Sequence, residues 1–134
     1  MLPTTIDAVT ASYHRCMYGE KFVDTFYHRF LAKSPEVAEK FRHTDFERQK
    51  RMLRESLLMM IQYNINKELV HEELEKLGER HSRRGTDIKS HLYDLWLDAL
   101  CESVKENDPQ YVPQLDAQWR EAMQPGIEIL ISKY

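Results

Sequence analysis

Helix breakers are scarce in this chain. Four glycines and five prolines serve 134 residues, too few for the turn-dense connections of a β-sandwich or barrel. Apolar and polar residues nowhere alternate steadily between turn signals, so strands find no support. Cysteine is rarer still: Cys16 and Cys101 lie far apart, outside any CxxC spacing and each among apolar neighbours. That excludes a disulfide scaffold and reads both thiols as buried and inert. No apolar run reaches membrane-spanning length and no leader-like stretch opens the sequence, so a cytoplasmic setting away from membranes is expected. An excess of one charge is missing too. Nineteen Lys and Arg against 22 Asp and Glu leave a formal net charge of −3, whereas nucleic-acid binding calls for a clustered basic surplus. The densest basic run, Arg80 to Arg84, is interrupted by His81 and Ser82 and answered by Glu79.

What the chain does have is long runs of Glu, Lys, Leu and Met, with apolar residues at helical spacing. No repeat, low-complexity tract or linker divides it, so residues 1–134 read as one all-α domain. A first helix is expected over Thr5 to Tyr18, capped by Thr4 or Thr5, with Ile6, Val9, Tyr13, Cys16 and Met17 inward. A second runs from Glu20 to Ala32 with a wide aromatic stripe, and Ser34-Pro35 breaks it. A short turn covers Glu36 to Phe41. Thr44 and Glu47 have the spacing of a capping box, which starts a helix reaching Tyr63. Asn64 to Lys67 connects it to a helix over His71 to Arg84. Thr86-Asp87 caps another from Ile88 to Lys105, and Asn107-Asp108-Pro109 closes that one. The last begins at Pro113 or Gln114, and Pro125-Gly126 should bend or split it. Six substantial helices with one or two short turns fit either a bundle or a globin-like stack.

Two positions carry more than packing. Leu74, Leu77 and His81 fall at i, i+3 and i+7 and share one helix face. Gly85, shortly after them, can stop the helix. An imidazole is thereby aimed into an apolar interior from the last turn of a helix, as a haem iron requires of its protein ligand. A hydrogen-bonded core histidine is the plainer reading of the same pattern. Gln49 interrupts the apolar face formed by Phe46, Leu53 and either Ser56 or Leu57. Its amide either reaches water at a boundary or serves as a donor aimed into a cavity.

Local sequence adds a resemblance. Thr25-Phe26-Tyr27-His28-Arg29-Phe30-Leu31-Ala32-Lys33-Ser34-Pro35-Glu36-Val37 resembles the corresponding segment of bacterial single-domain haemoglobins and of flavohaemoglobin globin domains. Phe41 falls where that family keeps a haem-packing phenylalanine. Gln49 and Leu53 match its distal glutamine and the apolar residue one turn on. His81, within Leu-x-x-Leu-x-x-x-His and followed by Gly85, matches the proximal iron ligand. The likeness runs from about residue 20 to 104 and more loosely through Trp119.

The resemblance implies a globin fold, a three-on-three helical stack around haem b (iron protoporphyrin IX). It makes His81 the iron ligand and Tyr27 and Gln49 the distal donors to a bound gas. Phe41, Leu53, Ile88, Tyr93, Leu97 and Met123 become haem-packing candidates, although each serves an ordinary core equally well. The Tyr27 hydroxyl has an alternative too, a bond to a backbone carbonyl. His43, Arg80 and Arg84 are candidates for the haem propionates. Many relatives join a tyrosine to the proximal histidine through a glutamate on the last helix; here Tyr93 is displaced by about two residues and Glu128 is the glutamate on offer.

The implied function is reversible binding of dioxygen, with carbon monoxide and nitric oxide as further ligands. Nitric oxide dioxygenase or scavenging activity would need a separate reductase, since no flavin or nicotinamide domain follows. A gas sensor would need a partner protein to carry its output. A haem-free globin-like interaction module is the reading from another class, and His81 speaks against it.

Overall fold

The computed structural model describes residues 3–134. Seven helices follow one another: α1 Pro3–Met17, α2 Lys21–Leu31, α3 Pro35–Lys40, α4 Phe46–Tyr63, α5 Lys67–Arg80, α6 Ser90–Asn107 and α7 Gln114–Ser132. Six are long and α3 is a single short piece, and no strand occurs among the described residues. None of these helices is long and apolar enough to cross a membrane.

The apolar stripes define how the helices pack. Phe22, Val23, Phe26, Tyr27 and Phe30 are buried on α2, which lies along α6. α7 packs against α1, α4, α5 and α6, and its Trp119 is wholly buried. Fully burying one such large apolar side chain stabilises by roughly 1.5–3 kcal/mol. On the surface, Arg29 of α2 and Lys33 just after it pair with Glu102 and Glu106 of α6. Exposed pairs of this kind contribute about 0–1 kcal/mol each, so they adjust the α2–α6 contact rather than create it.

Several helix ends differ from expectation, each for a local chemical reason. α1 is already helical at Pro3, so neither Thr4 nor Thr5 caps it. At α4 the cap is Asp45, whose Oδ1 accepts from the Glu47 and Arg48 amides, and the Thr44–Glu47 capping box does not form. A carboxylate one residue nearer the helix reaches those free donors and also meets the positive end of the dipole. α5 starts at Lys67 rather than His71, because the Asn66 side chain accepts from the Leu69 amide. It ends at Arg80 rather than Arg84, with His81 as C-cap.

α6 begins at Ser90, beyond Thr86 and Asp87, which have other partners. The Thr86 hydroxyl donates to the Arg80 carbonyl, and the Asp87 carboxylate receives the Tyr134 hydroxyl. α7 runs through Pro125 unbroken. Proline removes one amide from the ladder, but Glu121, which loses that donor, is exposed to water. The next carbonyl, Ala122, accepts Asn64 Nδ2 at 2.8 Å.

Candidate functional site

An apolar cleft opens among α2 to α7. Its lining includes Phe26, Tyr27 and Phe30 of α2, Val37 and Lys40 of α3, and Phe41 just after α3. Gln49, Met52, Leu53, Ser56 and Met60 come from α4, and Leu77 and His81 from α5 and its cap. Ile88, with Leu92, Tyr93 and Trp96 of α6 and Ile127 and Leu130 of α7, completes the wall. The atom-free space, counted out to the mouth, is about 850 Å³.

Of the nine residues expected to bind the iron, face the gas or pack the haem, seven meet here: Tyr27, Phe41, Gln49, Leu53, His81, Ile88 and Tyr93. Leu97 and Met123 are buried but sit outside the lining, as ordinary core residues of α6 and α7. His43, Arg80 and Arg84 are exposed and do not line the cleft either. The cation that does line it is Lys40, whose Nζ also donates to the Thr86 carbonyl at 3.1 Å. Its only sequence signal was proximity to Phe41. Met52 went unsingled too, and Trp96, Ser56 and Ile127 are readable only as members of helical stripes, since nothing in a stripe separates a cavity wall from a filled core.

His81 is held by a compact turn. Its amide donates to the Leu77 carbonyl at 3.1 Å, and its carbonyl accepts the Ile88 amide at 2.8 Å. The Thr86 amide reaches the Arg80 carbonyl and the Asp87 amide the Ser82 carbonyl. Asp87 takes a left-handed backbone conformation, φ 54°, which Asp tolerates better than most residues. Gly85 has no such requirement. A Cβ there would lie 2.1 Å from the Arg80 carbonyl oxygen, so the turn closes only without a side chain.

Burial, with a smaller push from Arg80, lowers the His81 pKa to about 4. The ring is therefore neutral at ordinary pH and keeps a lone pair, the state a metal ligand needs. Tyr93 Oη lies 3.3 Å from His81 Nδ1. Nε2 makes no hydrogen bond among the described residues, which leaves it as the nitrogen open to a metal. Across the cleft the Tyr27 hydroxyl donates to the Gln49 carbonyl at 3.2 Å, the backbone alternative the sequence left open. Burial raises the phenols of Tyr27 and Tyr93 to about 12, so both keep their protons. Phe41 stacks on Phe46 and meets Tyr27 and Phe30 edge-on. Glu128 is exposed and bonded to Gln124, so it does not reach His81. A neutral imidazole with one free nitrogen, in a cleft lined by apolar and aromatic side chains, fits the demands of a haem group.

Comparison with known proteins agrees. No curated protein matches the chain. A Pseudomonas aeruginosa crystal structure, described as structurally highly homologous to a human haemoglobin, is 39% identical with a TM-score of 0.92. The alignment covers 97% of this chain and 98% of that one. The Globin family model matches residues 24–127, a span that holds the whole cleft apart from Leu130. This chain belongs to the globin family, and with that membership come the all-α globin fold, a haem cofactor and the binding of diatomic gases.

Proposed function

We propose that this globin carries haem b on His81 Nε2 and binds dioxygen reversibly on the opposite, distal side. The observation that carries this reading is the neutral His81 ring, pinned by its turn and free at Nε2, at the wall of an apolar cleft that also holds Tyr27 and Gln49. Haem, when bound, supplies the iron at which a diatomic gas is held. The chain's own residues do the rest. Phe41, Leu53, Ile88 and Trp96 exclude water and bury the planar group. Lys40, at the cleft wall, joins His43, Arg80 and Arg84 as a candidate to pair with a carboxylate of the cofactor.

On the distal side the donors decide which gas is favoured. Dioxygen gains negative charge when held and is stabilised by an O–H or N–H pointing at it, whereas carbon monoxide gains less. Tyr27 and the Gln49 amide are the candidate donors. The Tyr27 hydroxyl has a single proton, which it donates to the Gln49 carbonyl at 3.2 Å. Donation to a gas therefore replaces one hydrogen bond by another, and the net gain is below the roughly 1 kcal/mol of a bond made from nothing.

Titrating the purified chain with haemin tests the assignment. A stoichiometric Soret band is expected for the wild type, and His81→Ala is expected to lose haem or hold it far more weakly. A colourless wild type, or a His81→Ala protein with unchanged spectrum and retention, overturns the reading.

A further inference from the structure

One short helix forms part of the cleft's rim and is tied down at both of its ends. α3 spans six residues, too few for a helix to persist by propensity alone. Ser34 Oγ caps it by accepting the Val37 amide at 3.2 Å, and Val37 is its buried side chain. In its first turn Glu36 Oε1 lies 2.7 Å from His91 Nε2. With a proton on that nitrogen, the imidazole donates to the carboxylate. At its last residue Lys40 Nζ donates to the Thr86 carbonyl at 3.1 Å. Residue 36 thus meets 91 and residue 40 meets 86, so α3 and the segment leading into α6 run past each other in opposite directions. In sequence, Val37 lies between the two bridges on one side and Ile88 on the other, and both line the cleft. The Ile88 amide is bonded in turn to the His81 carbonyl.

We infer that α3 is a strap over the rim of the cleft, held by the Glu36–His91 and Lys40–Thr86 bridges, that gates the entry and loss of the planar cofactor. The inference rests on the cleft being the haem site. Lys40, Phe41 and Ile88 are half-exposed members of the lining, so this seam lies where the cleft meets solvent. Lifting α3 breaks the two bridges, uncovers Val37 and carries Phe41 off the wall.

Neither bridge belongs to a helix ladder. The His91 and Glu36 side chains are 55% and 41% exposed, and the Lys40 bond is exposed as well, so water competes for both. Opening of α3 is therefore a local event, well below the cost of unfolding the bundle. Glu36 and His91 also lie outside the lining. A change at either acts on the strap and not on a cofactor contact, a separation that Lys40, in the wall itself, does not give.

The test follows haem transfer from the loaded full chain to an excess of haem-free myoglobin, together with hydrogen exchange of the α3 amides in the haem-free and loaded chains. Glu36→Ala and His91→Ala are each expected to speed haem loss by about twofold to fivefold, the range open to one exposed pair. Exchange in α3 should rise by a like factor while α1 and α7 stay unchanged. The double variant is expected to match the singles, because either change removes the same bridge. Unchanged far-ultraviolet circular dichroism shows that the helices survive. Haem loss that stays at the wild-type rate in both variants overturns the proposal, as does faster loss with α3 exchange unmoved. A wild type that takes up no haemin overturns the haem reading and the gate with it, an outcome told apart by the missing Soret band.

Discussion

Tyr27 shows at the residue scale how one hydrogen bond limits another. Its hydroxyl is buried and already satisfied by the Gln49 carbonyl, so it reaches a gas only by giving that bond up. Tyr27→Phe is therefore expected to speed dioxygen release by about twofold to fivefold, the range that corresponds to less than about 1 kcal/mol. Flash photolysis or stopped-flow mixing measures it, and an unchanged off-rate removes Tyr27 from the distal role. Gln49 was legible as an interruption of an apolar face. The direction of the Tyr27 hydroxyl was not, because it depends on a carbonyl 22 residues away.

At the scale of elements, the turn after α5 and the crossing of α4 with α7 depend on missing side chains in different ways. Gly85 is exposed, yet a Cβ there meets backbone, the Arg80 carbonyl oxygen, at 2.1 Å. Gly126 is buried, yet a Cβ there meets Met60 Cγ and Cε at 3.0 Å, and a methionine can move aside. Gly85→Ala is expected to cost about 3 kcal/mol and loosen the seat of His81. Gly126→Ala is expected to cost less than about 2 kcal/mol, since helix propensity returns roughly 1 kcal/mol of the overpacking penalty. Urea unfolding orders the two, and the opposite order, which burial alone would suggest, counts against this account. Pro125 removes a donor only from the Glu121 carbonyl, on an exposed residue that water can serve, so the helix continues where local sequence announces a break.

For the whole molecule, one buried polar knot ties the chain's ends together. Trp119 Nε1 of α7 donates to Ser12 Oγ of α1 at 3.0 Å, and Ser12 Oγ donates to Asp108 Oδ2 at 2.6 Å. Arg15 Nε and Nη2 grip both oxygens of that carboxylate, and the Gln110 amide adds a third kind of donor. Burial pushes the Asp108 pKa up, but the bonds from Arg15, Ser12 and Gln110 together hold it below the usual carboxylate value. A carboxylate with a depressed folded pKa contributes stability above its unfolded value, about 3.9, and that stability is lost as pH falls toward the folded one. Asp108→Asn is expected to lower stability near neutral pH by about 1–3 kcal/mol. The gap from wild type should narrow below about pH 4, as thermal unfolding across a pH series would show. A constant gap removes Asp108 from the acid response. The sequence showed Asp108 only as part of a closing Asn-Asp-Pro; its partners lie 93 and 96 residues away.

The chain by itself determined its helices, its all-α class and its most telling residue. Helical spacing is a property of neighbours, and Leu74, Leu77 and His81 declare their shared face without any tertiary contact. Caps one residue off, a helix that runs through proline and a phenol turned to a backbone oxygen were decided only on folding. The α4 cap is a contest between neighbours for the same amides, and the proline's lost bond falls on an exposed residue. The phenol depends on a distant acceptor, a choice with no signature in local sequence. The same holds for the cavity. Met123 lies one turn before Ile127 on the same face of α7, and only packing separates a wall of the cleft from the filled core beside it.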